Sequence, residues 1–165
     1  NKLCGINHKI FVRQGSVTDL PYEDRSFDLV WCQNVTMNVE DKRRMFAESY
    51  CVLAPGGRFT FSHAAQGQAG APYYPLPWAM DPSYSFLATP EEILEWLRAV
   101  GFTNIETGNE AGSTRSTGST QARPADELGP STIMGADMPD RQANAARSEQ
   151  EGRLIRMLVV AKRAA

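Results

Sequence analysis

One arrangement constrains this chain more than any other. A near-continuous apolar run, Phe27-Asp28-Leu29-Val30-Trp31-Cys32, is followed by a helix-patterned segment from about Asp41 to Leu53. Pro55-Gly56-Gly57 then turns the chain into a β-rich run, Arg58-Phe59-Thr60-Phe61-Ser62. An apolar strand without alternation is one covered on both faces, as in a parallel sheet. In the helical segment Phe46, Tyr50 and Leu53 fall at i, i+4 and i+7, and the acidic Glu40-Asp41 opens it. Proline and glycine stop the helix and set up the next strand.

Further elements extend the alternation. Ile10–Gln14 reads as a short strand ended by Gly15, and Leu20–Ser26 as an exposed turn. Thr89-Pro90-Glu91-Glu92 is a helix start with an N-cap threonine, a first-turn proline and a capping-box glutamate. Ile93, Leu94, Leu97 and Val100 give that helix its buried stripe, and Gly101 ends it. Phe102–Glu106 reads as a strand, Pro139–Glu151 as a polar-faced helix and Leu154–Ala161 as the last strand. The Gly-, Ser- and Thr-rich stretch Thr107–Arg123 reads as a mobile loop within an insertion over 107–130. Gln66–Pro82 is irregular and aromatic-rich, and 64–88 as a whole reads as a lid. The expected architecture is one α/β domain over 1–165, a sheet with helices on both faces. Trp31 is read as core.

Charge and cysteine count narrow the function. Seventeen Lys+Arg against nineteen Asp+Glu leave a net charge of −2, so no basic field exists to hold nucleic acid or an anionic membrane. No apolar stretch approaches the ~18 residues of a membrane helix. Cys4, Cys32 and Cys51 are odd in number and far apart, with no CxxC. They suit a reducing cytoplasm, with no disulfide framework and no metal site, and Cys51 reads as a buried, inert thiol. The opening Asn1-Lys2-Leu3-Cys4 resembles the tail of a helix stopped by Gly5, which leads us to expect an earlier part of the protein before it.

The order and spacing over Ile10–Ser62 resemble the second half of a class I S-adenosylmethionine-dependent methyltransferase. Gly15-Ser16-Val17, Leu20–Asp24, Ser26–Trp31 and Val52–Arg58 carry that likeness. The subgroup resembled, methyltransferase type 11, includes ubiquinone/menaquinone C-methyltransferases and sarcosine/dimethylglycine N-methyltransferases. The likeness continues through Pro77-Trp78-Ala79, Ser85-Phe86-Leu87 and the Thr89–Phe102 helix, then at Met134-Gly135, Asn144, Arg147 and Glu151-Gly152-Arg153. The fold it implies is a Rossmann-like sheet flanked by helices, in the order 3-2-1-4-5-7-6, with its first two strands lacking in this chain. The Gly-rich turn and the ribose-binding acid of such enzymes belong to those strands, so weak cofactor binding by these residues alone is expected.

The resemblance also assigns roles. Gly15, Ser16 and Val17 fall where the adenine is held, with Ser16 in place of the usual acid. Cys32 and Gln33 end the central strand, facing the methionine part of the cofactor S-adenosylmethionine. Asn34 and Asn38 stand where Asp and His are common, and Cys51 where Arg is common. The asparagines have either a substrate role or a capping role. Tyr73, Tyr74 and Trp78 of the lid are candidate substrate contacts, since aromatic faces attract ammonium groups. Ordinary packing is the alternative for each. His63 is the one candidate base, a satisfied surface histidine being the alternative. Methyl transfer needs alignment and exclusion of water more than acid–base help.

The implied function is methylation of a small molecule, an amine favoured, with no nucleic-acid or membrane partner. C-methylation of a quinone-like ring and a non-catalytic binding module on the same fold stay open.

Overall fold

The computed structural model describes residues 5, 8–109 and 130–165. The elements are β1 (Phe27–Cys32), a 3-10 turn at Thr36–Asn38, α1 (Lys42–Val52) and β2 (Leu53–Gln66). A second 3-10 turn at Pro82–Tyr84 precedes α2 (Pro90–Val100) and β3 (Phe102–Asn109). The short α3 (Pro130–Met134), then α4 (Met138–Gln150) and β4 (Leu154–Arg163), complete the chain. The sheet order is β1-β2-β4-β3. β1 and β2 are parallel, and β4 runs antiparallel to both β2 and β3. This reproduces the 4-5-7-6 half of the expected order.

Local chemistry explains the element ends. Asp41 caps α1 by accepting from the Arg44 amide at 2.9 Å. Thr89 and Glu92 form the expected capping box of α2, and Gly101 ends that helix in the left-handed conformation, φ 112. The Pro55-Gly56-Gly57 turn becomes a bulge in β2, between the pairs Phe27–Leu53 and Leu29–Arg58. Gly57 is required there, since a Cβ would lie 2.8 Å from the Ala54 carbonyl oxygen. Arg163, near the end of β4, donates to the carbonyls of Tyr50, Cys51 and Leu53 at 2.7, 3.0 and 2.6 Å. A cation suits the negative end of the α1 dipole.

The core lies between one sheet face and helices α1 and α2. Alternate residues Phe59, Phe61 and Ala65 of β2 join Met157, Val159 and Ala161 of β4. They pack on Met45, Phe46, Ile93 and Leu97 of the helices. Phe59 and Phe61 stack at 4.8 Å between centroids. On the other side Leu76, Ala145 and Leu154, with Tyr74, Trp78 and Leu87 against them, bind the segment expected to form the lid to α4.

Several expectations are corrected. Ile10–Gln14 is no strand, and Phe11 and Val12 are 84% and 87% exposed. An extended segment becomes a strand only through a hydrogen-bonded neighbour, and β1 pairs with β2 alone among the described strands. Trp31 is 69% exposed, not core. Val30 and Cys32 face the core, so the alternation of β1 turns Leu29 and Trp31 to the opposite face. Cys51 is exposed rather than buried. Thr107–Asn109 continue β3, paired with Val159, Leu158 and Met157, rather than opening a loop. β2 also runs past Ser62 to Gln66, because β4 pairs with it along that length. The remainder of the expected insertion, 110–129, and the helix tail at Asn1–Cys4 lie outside the described residues. Among the described residues no helix is long and apolar enough to cross a membrane.

Candidate functional site

A cavity of about 590 Å³ opens beyond the carboxyl end of β1, between β2, the lid and α4. Asn34, Asn38, Ser62, Trp78, Met138 and Arg156 are among its lining residues. Asn34 has a left-handed backbone, φ 56, which turns the chain away from the strand. Asparagine tolerates that conformation better than most residues. Its amide donates to Ser62 Oγ at 3.3 Å, which ties the ends of the two parallel strands together.

Asn38 holds the lid. Its Nδ2 donates to the carbonyls of Trp78 at 3.0 Å and Tyr84 at 2.9 Å. The Trp78 indole N–H donates to Ser85 Oγ at 3.1 Å, which leaves its ring to the cavity wall. The Phe86 amide donates to the Met37 carbonyl at 2.8 Å. Three asparagine- and backbone-mediated bonds thus fasten the lid to the turn after β1.

A buried polar cluster forms the strand side of this wall, and His63 is itself one of the lining residues. His63 is buried, and its Nδ1 is 2.6 Å from Thr36 Oγ1. Its Nε2 is buried without a well-formed hydrogen bond. Burial and the nearby Lys42 charge push its pKa down to about 3, opposed by the Ala88 backbone, so the ring is neutral at physiological pH. It shares the helix-facing side of β2 with Phe61 and Ala65, so it is not the surface histidine of the alternative reading. Lys42 is also buried, and its Nζ donates to the carbonyls of Val39, at 2.6 Å, and Phe86. Burial lowers its pKa to about 8, opposed by Glu92.

The other expected site residues are distributed elsewhere. The guanidinium groups of Arg147 and Arg153 pack over the Tyr73 ring, 3.9 and 4.5 Å from its centroid. The Tyr73 hydroxyl donates to Glu151 Oε2 at 2.7 Å. Hydrogen bonds from Tyr73, Arg147 and Arg153 hold the Glu151 carboxyl down at about 2. Tyr74 packs against the Leu76–Ala145–Leu154 cluster. Neither tyrosine lines the cavity. Ser16 Oγ sits 2.8 Å from Thr18 Oγ1 and accepts from the Thr18 amide, while Val17 packs on the core. Gly15 stands against Pro21, whose Cδ would be 2.7 Å from an added Cβ. Cys32 is half-buried, which raises its thiol to about 11, and Gln33 is exposed. These five residues also lie outside the cavity.

Sequence reasoning missed Thr36, Lys42, Gln142, Glu149 and Arg156. Lys42 opens the run Lys42-Arg43-Arg44, and nothing in that spacing signals burial. Glu149 and Arg156 lie on either side of the Gly152 turn, so no helical or strand spacing links them.

A methyltransferase-domain family profile matches residues 2–61. A sarcosine/dimethylglycine N-methyltransferase of Halorhodospira halochloris is 33% identical over 106 residues, 64% of this chain and 38% of that protein. Two solved structures share the fold. A putative sarcosine dimethylglycine methyltransferase from Galdieria sulphuraria gives a TM-score of 0.69 at 17% identity, covering 99% of this chain and 63% of that one. A geranyl diphosphate methyltransferase in complex with S-adenosylmethionine gives 0.72 at 17% identity, covering 99% and 61%.

In strand order, sequence and fold the chain is similar to S-adenosylmethionine-dependent methyltransferases. The relatives it matches in sequence include N-methyltransferases named for small amino acids, and it spans less than half of the relative cited.

Proposed function

We propose that the protein transfers a methyl group from S-adenosylmethionine to the nitrogen of a small acceptor, and that these residues supply the acceptor side of the site. The observation that carries this reading is the cavity of about 590 Å³ at the carboxyl end of the parallel pair β1 and β2. Open α/β sheets bind ligands at that end, and the volume suits a small molecule.

The end of β1 fits the cofactor's methionine portion. Gln33 is exposed, Asn34 turns the backbone outward, and no neighbouring strand covers that edge among the described residues. Cys32 and Gln33 would hold that portion. Gly15–Val17 would hold the adenine through backbone groups, since the Ser16 hydroxyl already serves Thr18. When bound, the cofactor supplies an electrophilic methyl carbon on a sulfonium.

The chain's own residues orient the acceptor and exclude water. Trp78 offers an aromatic face to an amine or its methylated cation. Asn38 keeps that indole in place through its backbone. Asn34, Ser62 and Gln142 offer polar atoms along the wall. His63, held neutral and bonded to Thr36, serves as a fixed polar part of the wall rather than as a base. A group with a pKa near 3 is a weak proton acceptor at neutral pH.

The test is calorimetric titration with S-adenosylmethionine, then a methyl-transfer assay on sarcosine and dimethylglycine, on the protein as expressed from its gene. Cofactor binding with turnover of an amine supports the reading. Binding without turnover on any amine moves the protein to the non-catalytic reading, and absence of binding overturns methyl transfer.

A further inference from the structure

Among the described residues lining the cavity, Glu149 and Arg156 are the only Asp, Glu, Lys or Arg side chains. Arg156 stands on β4 directly opposite Ala64 of β2, on the sheet face that α4 overlies. Its Nε donates to Glu149 Oε1 at 2.6 Å, close to the end of α4. Among the described residues its two terminal nitrogens bond nothing. The pair is partly exposed, 40% and 30% for the two side chains. An ion pair so placed contributes only ~0–1 kcal/mol to stability, so stability does not account for a charge on the wall. A guanidinium bonded at Nε keeps its outer edge free, and that edge matches a carboxylate or phosphate with two parallel N–H donors.

The geometry points to Arg156 as the residue that takes an anionic end of the methyl acceptor, a carboxylate or a phosphate, with Glu149 as the positioning residue that sets the guanidinium plane. This rests on the methyl-transfer reading above. The division of the cavity supports it. The charged pair lies on the β4–α4 wall, whereas Trp78, Asn34 and Asn38 occupy the lid and the end of β1. An acceptor anchored by its anion presents its opposite end to the side where β1 terminates. The wall carries balanced charge overall, which suits a molecule with both an anion and an amine better than a simple cation.

The test compares dimethylglycine, phosphoethanolamine and ethanolamine by calorimetry, with S-adenosylmethionine titrated in parallel. Wild type is expected to prefer one of the anionic probes over ethanolamine, and the tighter of the two names the anion. Arg156→Gln is expected to weaken that probe by about ten- to a hundredfold, the usual loss for hydrogen bonds to a charged group, and to leave ethanolamine unchanged. Arg156→Lys is expected to recover part of the loss, since a point charge replaces the fork. Glu149→Gln is expected to raise KM for the anionic acceptor several-fold with kcat little altered.

Equal binding of all three probes, unchanged anion affinity in Arg156→Gln, or no binding of either anionic probe at millimolar concentration overturns the proposal. Cofactor binding without anion preference removes the Arg156 role and leaves methyl transfer standing. Anion preference without cofactor binding removes methyl transfer and leaves the anion site.

Discussion

His63 shows how a single side chain changes meaning with its surroundings. In sequence it follows a strand and reads as a possible base. In the fold its Nδ1 meets Thr36 and its ring sits in the core face beside a lysine. Its pKa of about 3 lies below the ordinary value of 6.5. A group depressed in the folded state stabilises the fold above its unfolded pKa, and that stability is lost as pH falls. Wild type is therefore expected to lose stability from about pH 6.5 toward pH 3. His63→Gln is expected to show a shallower loss over that window, read from urea midpoints at pH 7 and pH 4.5. Equal slopes would place the acid sensitivity in other groups. Tyr73 makes the complementary point. An aromatic in a lid reads as a substrate contact, yet two arginines already pack over the ring and a glutamate takes the hydroxyl.

Among elements, α2 is the one most completely legible in sequence. Its cap, first-turn proline, buried stripe and terminal glycine are all local signals, and each appears in the fold. Thr89→Ala removes the side-chain acceptor for the Glu92 amide, and about 1 kcal/mol of stability is expected to go with it, measured by chemical denaturation. The first turn of α1 behaves differently. Lys42 reads as an exposed basic residue, yet it is buried and bonded to carbonyls on either side of the lid attachment. Its folded pKa of about 8 lies below the ordinary 10.5, so its contribution to stability grows as pH rises from 8 to 10.5. The difference in unfolding free energy between wild type and Lys42→Met is expected to shift in favour of wild type across that interval. A constant difference would mean that the ammonium titrates as it does in solvent. β2 exceeds its sequence reading for a related reason: its length is set by β4, which pairs with it from Arg58 to Gln66.

For the molecule as a whole, the sheet has one covered face and one partly bare face. Leu29 and Trp31 of β1 are 49% and 69% exposed, and β1 has no described neighbour on its outer edge. Unpaired strand edges and contiguous apolar surface promote association. The 165-residue chain by itself is expected to self-associate with rising concentration in sedimentation velocity, and Trp31→Lys is expected to reduce that association. A wild-type chain that stays monomeric at high concentration would show that this face tolerates water.

What the sequence determined by itself was the alternation of strands and helices, the helix caps, the Pro-Gly-Gly turn and, through their order, the class of fold. These depend on residues within a few positions of one another, where propensity, capping and periodicity act. The tertiary structure alone decided which face of β1 is covered, that Ile10–Gln14 is not a strand, and which polar groups meet at the cavity. Lys42 with Phe86, Thr36 with His63, and Glu149 with Arg156 are brought together by packing across the sheet and lid. Burial and charge pairing are properties of neighbours in space, and no spacing along the chain encodes them.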